Sequence, residues 1–119
     1  MLLPEDLKQF TGGVEFYKHP LIPRMVYTEG VQYFAKKAGA YWFIDKVATE
    51  LENLMAEQPF ISLLLTVKND KATLSVTDGN ELTLCPTFII DFTDAPEGEW
   101  RFWIESGGGR STLLLPSEH

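Results

Sequence analysis

The stretch Ile61-Ser62-Leu63-Leu64-Leu65-Thr66-Val67-Lys68-Asn69-Asp70-Lys71-Ala72-Thr73-Leu74-Ser75-Val76-Thr77 decides the fold class. Ile61, Leu63, Leu65 and Val67 recur at every second position. Beyond Asn69-Asp70, the residues Ala72, Leu74 and Val76 alternate with Lys71, Thr73, Ser75 and Thr77. Successive side chains of a strand point to opposite faces, so a period of two describes a hairpin with one buried face. Asn and Asp tolerate the positive φ that a tight hairpin turn demands, which places the reversal at Asn69-Asp70.

Working toward the C-terminus, Asp78-Gly79-Asn80 is a second turn, and a third strand runs from Glu81 toward Phe92 with Pro86 marking an edge, a bulge or a break. Trp100 to Glu105 and Thr112 to Leu115 make the fourth and fifth strands, joined across Ser106-Gly107-Gly108-Gly109.

Toward the N-terminus the period changes to that of a helix. Thr28 can cap a helix and Glu29 suits its positive end, with Val31, Phe34, Ala35 and Ala38 on one face before Gly39 interrupts. Ala40, Ile44, Val47, Ala48, Leu51, Leu54 and Met55 continue as a second stripe that ends at Gln58-Pro59. Pro4 to Phe10 reads as a short helix stopped by Thr11-Gly12-Gly13. The segment 11–27, carrying Pro20 and Pro23, reads as an extended wrapping loop.

The expected fold is therefore α+β and a single domain over residues 1–119. It has a short helix at 4–10, the wrapping loop at 11–27 and two helices within 28–57. A five-stranded antiparallel meander over 61–115 follows, with the helices packed on one face. Leu64, Ile89, Trp103 and Leu114 fall out of phase with the inward set, so the second sheet face needs a cover. Either the segment Val14 to Val26 provides it, or these four residues form an interface, most simply that of a symmetric homodimer.

Composition narrows the function classes. A chain of 119 residues that is 45% hydrophobic, with three Trp, four Tyr and eight Phe, holds one core. Its longest apolar runs fall short of the ~20 residues that span a bilayer, so no membrane association and a cytoplasmic location are expected. The net charge is −7, and no basic residue lies between Lys71 and Arg101, which disfavours direct nucleic-acid binding. Cys85, the single cysteine, has no disulfide partner, and beside Pro86 in an apolar strand it reads as an inert thiol. His19, Cys85 and His119 lack the short paired spacings of a metal site, so neither metal nor cofactor is expected. Gly107-Gly108-Gly109-Arg110 lies between strands and not ahead of a helix, so it reads as a hairpin tip and not a phosphate cradle.

Tyr27 to Asp45 holds six aromatic side chains and, at its end, a carboxylate beside the apolar stripe at Ile44 and Ala48. A carboxylate so placed needs a donor, and Tyr hydroxyls, a Trp indole, His19 or Arg24 can supply one. Asp45 is expected to be at least partly buried and to fasten the His19 loop to the helix. Trp42 is expected to pack between helix and sheet.

The segments Phe10-Thr11-Gly12, Tyr17-Lys18-His19-Pro20-Leu21, Tyr27 to Asp45 and Leu115-Pro116-Ser117-Glu118 together resemble a family of small uncharacterised bacterial proteins, a domain of unknown function met in cyanobacterial and mobile-element genomes. The resemblance brings no activity to carry over. It implies that Tyr17, His19, Tyr27, Tyr41, Trp42 and Asp45 belong to the family's frame, as core or as a site that binds a ligand or partner.

Activated nucleophiles and metal ligands are missing while aromatic and carboxylate groups abound, so the expected function is a noncatalytic binding or protein-interaction module. Its partner is an unknown protein or small ligand. Two alternatives stand beside it. One is an acidic decoy or counter-defence protein of a phage or plasmid, suggested by the basic-free stretch Ala72 to Trp100. The other is a small enzyme using His19 and Asp45 as an acid/base pair, which requires the two to meet in a cleft.

Overall fold

A computed structural model describes residues 2–11, 15–80 and 82–119. The hairpin stands where the alternation put it. Strands β3 (Phe60–Lys68) and β4 (Lys71–Thr77) pair antiparallel, and Asn69 and Asp70 both take positive φ, 53° and 64°. Thr28 accepts from the Val31 N–H at the start of α1 (Glu29–Ala38), and Gly39 ends that helix at φ 64°. The second stripe splits at Leu51 into α2 (Tyr41–Glu50) and α3 (Glu52–Glu57).

Two further strands precede the helices, β1 (Phe16–Lys18) and β2 (Met25–Thr28), and three follow β4: β5 (Phe88–Ile90), β6 (Gly98–Gly107) and β7 (Arg110–Leu114). They form one open seven-stranded sheet in the order β1-β2-β7-β6-β3-β4-β5, in which β2 runs parallel to β7. The α+β class holds, but the five-stranded antiparallel meander does not. After β5 the chain returns across the sheet to lay β6 on the free edge of β3, opposite β4. The reason is burial. In that position Trp100, Phe102 and Ile104 of β6 lie under the helices and are all sequestered. The expected wrapping loop is also corrected. Pro20 and Pro23 occupy only the connection between β1 and β2, which leaves the flanking residues free to pair. The third strand shrinks to Phe88–Ile90, with Pro86 in the break and, among the described residues, only an isolated bridge, Thr77 to Thr83, before it. The expected stop at Thr11-Gly12-Gly13 and the strand start at Glu81 fall wholly or partly outside the described residues.

The helices pack on one face. Phe34 of α1 and Phe43 of α2 meet Phe102 of β6 at ring-centre distances of 5.1 and 4.6 Å, and Phe34 also meets Trp100 at 5.0 Å. The Trp100 indole donates to the Pro96 carbonyl, so its polar edge is satisfied. Two short 3-10 helices, Pro4–Gln9 and Pro116–Glu118, pack on β6 and on each other. Both open on Leu-Pro and carry an acid three residues after the Leu. Asp6 accepts from the Leu3 N–H and Glu118 from the Leu115 N–H. Glu118 also accepts from Thr28 Oγ1 at 2.5 Å and the Gly30 N–H at 3.3 Å, locking the C-terminal residues to the start of α1. Gly30 is glycine because of this approach, since a Cβ there would lie 2.6 Å from Leu115 Cδ1. Among the described residues, no helix is long and apolar enough to cross a membrane.

Candidate functional site

Strands β1 and β2 set Tyr17 opposite Tyr27, and their rings stack at 5.6 Å with 24° between planes. The connection between them is closed by two backbone bonds, His19 N–H to the Met25 carbonyl and Met25 N–H to the Ile22 carbonyl. Pro20 and Pro23 restrict this turn, which folds its own backbone over the His19 ring. Nδ1 of His19 accepts from the Leu21 and Ile22 N–H groups at 3.2 and 3.0 Å. A nitrogen that accepts cannot carry the proton of a neutral ring, so Nε2 carries it and donates to Asp45 Oδ1 at 2.8 Å. The ring is only 2% exposed.

Asp45 comes from the outward face of α2, one turn after Tyr41 and one before Thr49, whose hydroxyl donates to the Asp45 carbonyl. It does fasten the His19 turn to the helix. It is not partly buried: its side chain is 68% exposed, because Ile44 and Ala48 take the inward positions and rotate Asp45 toward water. Half-buried Tyr27 lies beside this carboxylate, and its phenol is pushed up from the ordinary tyrosine value by burial first, then by Tyr41 and Asp45. The Tyr17 phenol is also pushed up, chiefly because it donates to Glu15 at 2.9 Å and loses that bond on ionising.

Five of the six residues picked out in the sequence, Tyr17, His19, Tyr27, Tyr41 and Asp45, thus come together. Trp42 lies on the far side of Asp45, which borders both the cluster and the groove that Trp42 lines. It is half-buried, edge-on to Phe43 at 6.3 Å, and lines a groove with Ile90 and Phe92 on the β5 side of α2. Arg24 takes no part in the cluster, donating instead to the Met55 carbonyl at the end of α3 and to Ser111. Tyr41 and Asp45 are exposed and Tyr17 and Tyr27 half-buried, a ridge of three phenols and one carboxylate. Among the described residues, no group of three or more His, Cys, Asp or Glu side chains is placed to hold a metal.

The four out-of-phase residues do not share one patch. Trp103 is half-buried, with the Phe60 and His119 rings edge-on at 5.3 and 5.4 Å and Leu114 opposite it on β7. His119 is held there by Nε2 to Glu105 at 2.6 Å. The segment expected to cover this face lies in the sheet as β1 and β2, so the cover is Phe60 and the C-terminal residue. Leu114 is buried and Leu64 half-buried, whereas Ile89 stands on the edge strand at 72% exposure, beyond the polar Ser75 and Thr73. Sequence reasoning missed the Phe92 groove and the role of Glu118. The repeated Leu-Pro-x-acid pattern at 3–6 and 115–118 was the available signal for the second.

The family model described as "Family of unknown function (DUF6876)" matches residues 1–119, and the chain belongs to that family. Among curated proteins none matches it. A solved structure described as "Crystal structure of the protein of unknown function from Enterococcus faecalis" has a similar fold. It aligns over 80% of this chain and 89% of its own, at 20% identity and a TM-score of 0.50.

Proposed function

Starting from membership of a family of unknown function, we propose that the chain is a noncatalytic module that binds another protein through the ridge of Tyr17, Tyr27, Tyr41 and Asp45. One observation carries the reading: the stacked, half-buried Tyr17 and Tyr27 adjoin the exposed Tyr41 and Asp45, while the histidine beside them is sealed with both ring nitrogens engaged. Tyrosine offers a large rigid face and a polar tip, and it is enriched where proteins meet.

The acid/base alternative draws on the 2.8 Å contact between His19 and Asp45. That contact supports a structural pair better, because a substrate approaching from solvent reaches the carboxylate and not the 2%-exposed ring. The decoy alternative draws on the acidic stretch from Ala72 to Trp100. Asp78 there is committed to the Asn80 and Leu82 amides and Glu97 to the Asn69 amide, on separate turns, which argues against a regular anionic face.

The test is a Tyr17→Ser/Tyr41→Ser double variant, purified beside the parent chain from cells that naturally express the protein. The parent retains a discrete, saturable partner, and the variant loses it while still folded, melting cooperatively with only the small loss that removing the Tyr17–Tyr27 stack entails. Equal retention by both proteins overturns the reading.

A further inference from the structure

The two edges of the sheet are finished differently. At the β1 edge, Glu15 precedes the strand and Lys18 is its last residue, and the Arg110 guanidinium lies 5.2 Å over the Phe16 ring. Charges in such positions discourage another strand from pairing. At the other edge, β5 is Phe88-Ile89-Ile90, with no charge of its own, and among the described residues no strand pairs with its outer side. Phe88 and Ile90 face the helices, opposite Leu74 and Ala72, while Ile89 projects from the other face at 72% exposure. Beyond the strand, Phe92 is 69% exposed. Between this edge and α2 runs a groove of about 510 Å3 whose apolar walls are Trp42, Ile90 and Phe92.

An incoming strand would run ~4.8 Å from β5, and every second side chain would enter this groove while the others pass Ile89. The charges around the groove select the occupant. Asp45 and Glu50 line it, and the exposed Asp91 and Asp94 follow β5. Among the described residues of the lining the one cation, Lys46, is turned onto the Phe88 ring at 5.0 Å. A second copy of this chain, at net charge −7, would bring Asp91 and its neighbours against the same carboxylates, so like charges oppose self-pairing.

We propose that β5 and the Trp42–Phe92 groove form a β-augmentation site for an extended peptide segment that alternates apolar with Lys or Arg residues. This rests on the interaction-module reading and gives the partner its chemical class. The apolar side chains fill the groove, the backbone pairs with β5, and the cations, alternating onto the Ile89 face, meet Asp91 within the negative field to which Asp45 and Glu50 add.

The test adds an alternating Lys/Val octapeptide or its Glu/Val counterpart to the isotope-labelled full chain and follows amide and indole shifts. The Lys/Val peptide moves residues 87–92 and the Trp42 indole, and the Glu/Val peptide does not. Asp91→Lys, at an exposed position, weakens binding by about tenfold or more, as does raised salt. No response at about 1 mM Lys/Val peptide overturns the proposal, as does a response centred on Tyr17 and Tyr27, or a dimer in sedimentation whose contact maps to β5. The two readings fail separately. If the octapeptide does nothing while Tyr17→Ser/Tyr41→Ser still loses its partner, the β5 site falls and the module stands. If the octapeptide binds at β5 but the double variant keeps its partner, the tyrosine ridge falls.

Discussion

The bond between His19 and Asp45 ties a turn restricted by two prolines to the middle of α2, and its strength can be worked out and measured. Nε2–H of a 2%-exposed ring has one partner, Asp45 Oδ1 at 2.8 Å. Losing the partner of a buried donor costs about 1–3 kcal/mol. The carboxylate is 68% exposed, so its removal admits water to Nε2 and holds the loss near the low end, at about 1 kcal/mol. Replacing Asp by Ala also gains about 0.5 kcal/mol of helix propensity, which hides part of the loss in a single variant. A double-mutant cycle of Asp45→Ala with His19→Ala cancels that gain and isolates the pair. The expected coupling is about 1–2 kcal/mol by urea denaturation. Asp45→Asn, whose Oδ1 still accepts from Nε2–H, should lose less than about 1 kcal/mol. His19→Ala alone removes three hydrogen bonds and a buried ring, and should cost about 3 kcal/mol or more. A coupling below about 0.3 kcal/mol, within the additivity of independent sites, would refute the claim that this bond holds the turn.

Two further outcomes follow from the same geometry. Gly30→Ala drives a Cβ to 2.6 Å from Leu115 Cδ1 and 2.7 Å from Glu118 Oε1, and should destabilise by a net ~1–2 kcal/mol despite better helix propensity. Glu118→Gln should lose a similar ~1–2 kcal/mol, because Thr28, Gly30 and Leu115 all donate to that carboxylate. Thermal melts decide both, and an unchanged midpoint in either would mean that the C-terminal turn is not docked on α1. At alkaline pH, burial keeps the Tyr27 phenol neutral above the ordinary tyrosine value of about 10. Its contribution to stability is full below that pH and is lost as pH rises through the higher folded value, because the unfolded chain ionises first. Ultraviolet titration should show late tyrosine ionisation that shrinks in Tyr27→Phe, with a late part left from Tyr17; an unchanged curve in the variant would contradict this.

Local signals carried the helices and the central hairpin. Thr28, Gly39 and Asn69-Asp70 each act through the backbone conformation of their own neighbours, and each does what the sequence alone implies. The strand order is a long-range choice. Nothing within residues 81–107 says that β6 will leave β5 and pair with β3, since both strands offer an apolar face to pair beside. Strands β1 and β2 were hidden because two prolines in six residues read as a break, whereas they fill only the turn. The cluster around Asp45 was legible as composition, and the choice of His19 over Arg24 as its partner was not, being fixed by how the Leu21 and Ile22 amides orient the ring. The exposure of Asp45 was misjudged because neighbouring Ile44 suggested burial, while its own helical position points outward.

The claim that the tyrosine ridge is a protein-binding surface is tested most directly by photo-crosslinking inside cells that naturally express the chain. A photoreactive phenylalanine replaces Tyr41, Tyr17 or, as a control on the opposite sheet face, Thr73. The account predicts one discrete crosslinked protein from positions 41 and 17 and none from position 73. Crosslinks from position 73 alone, or from none of the three, would contradict it.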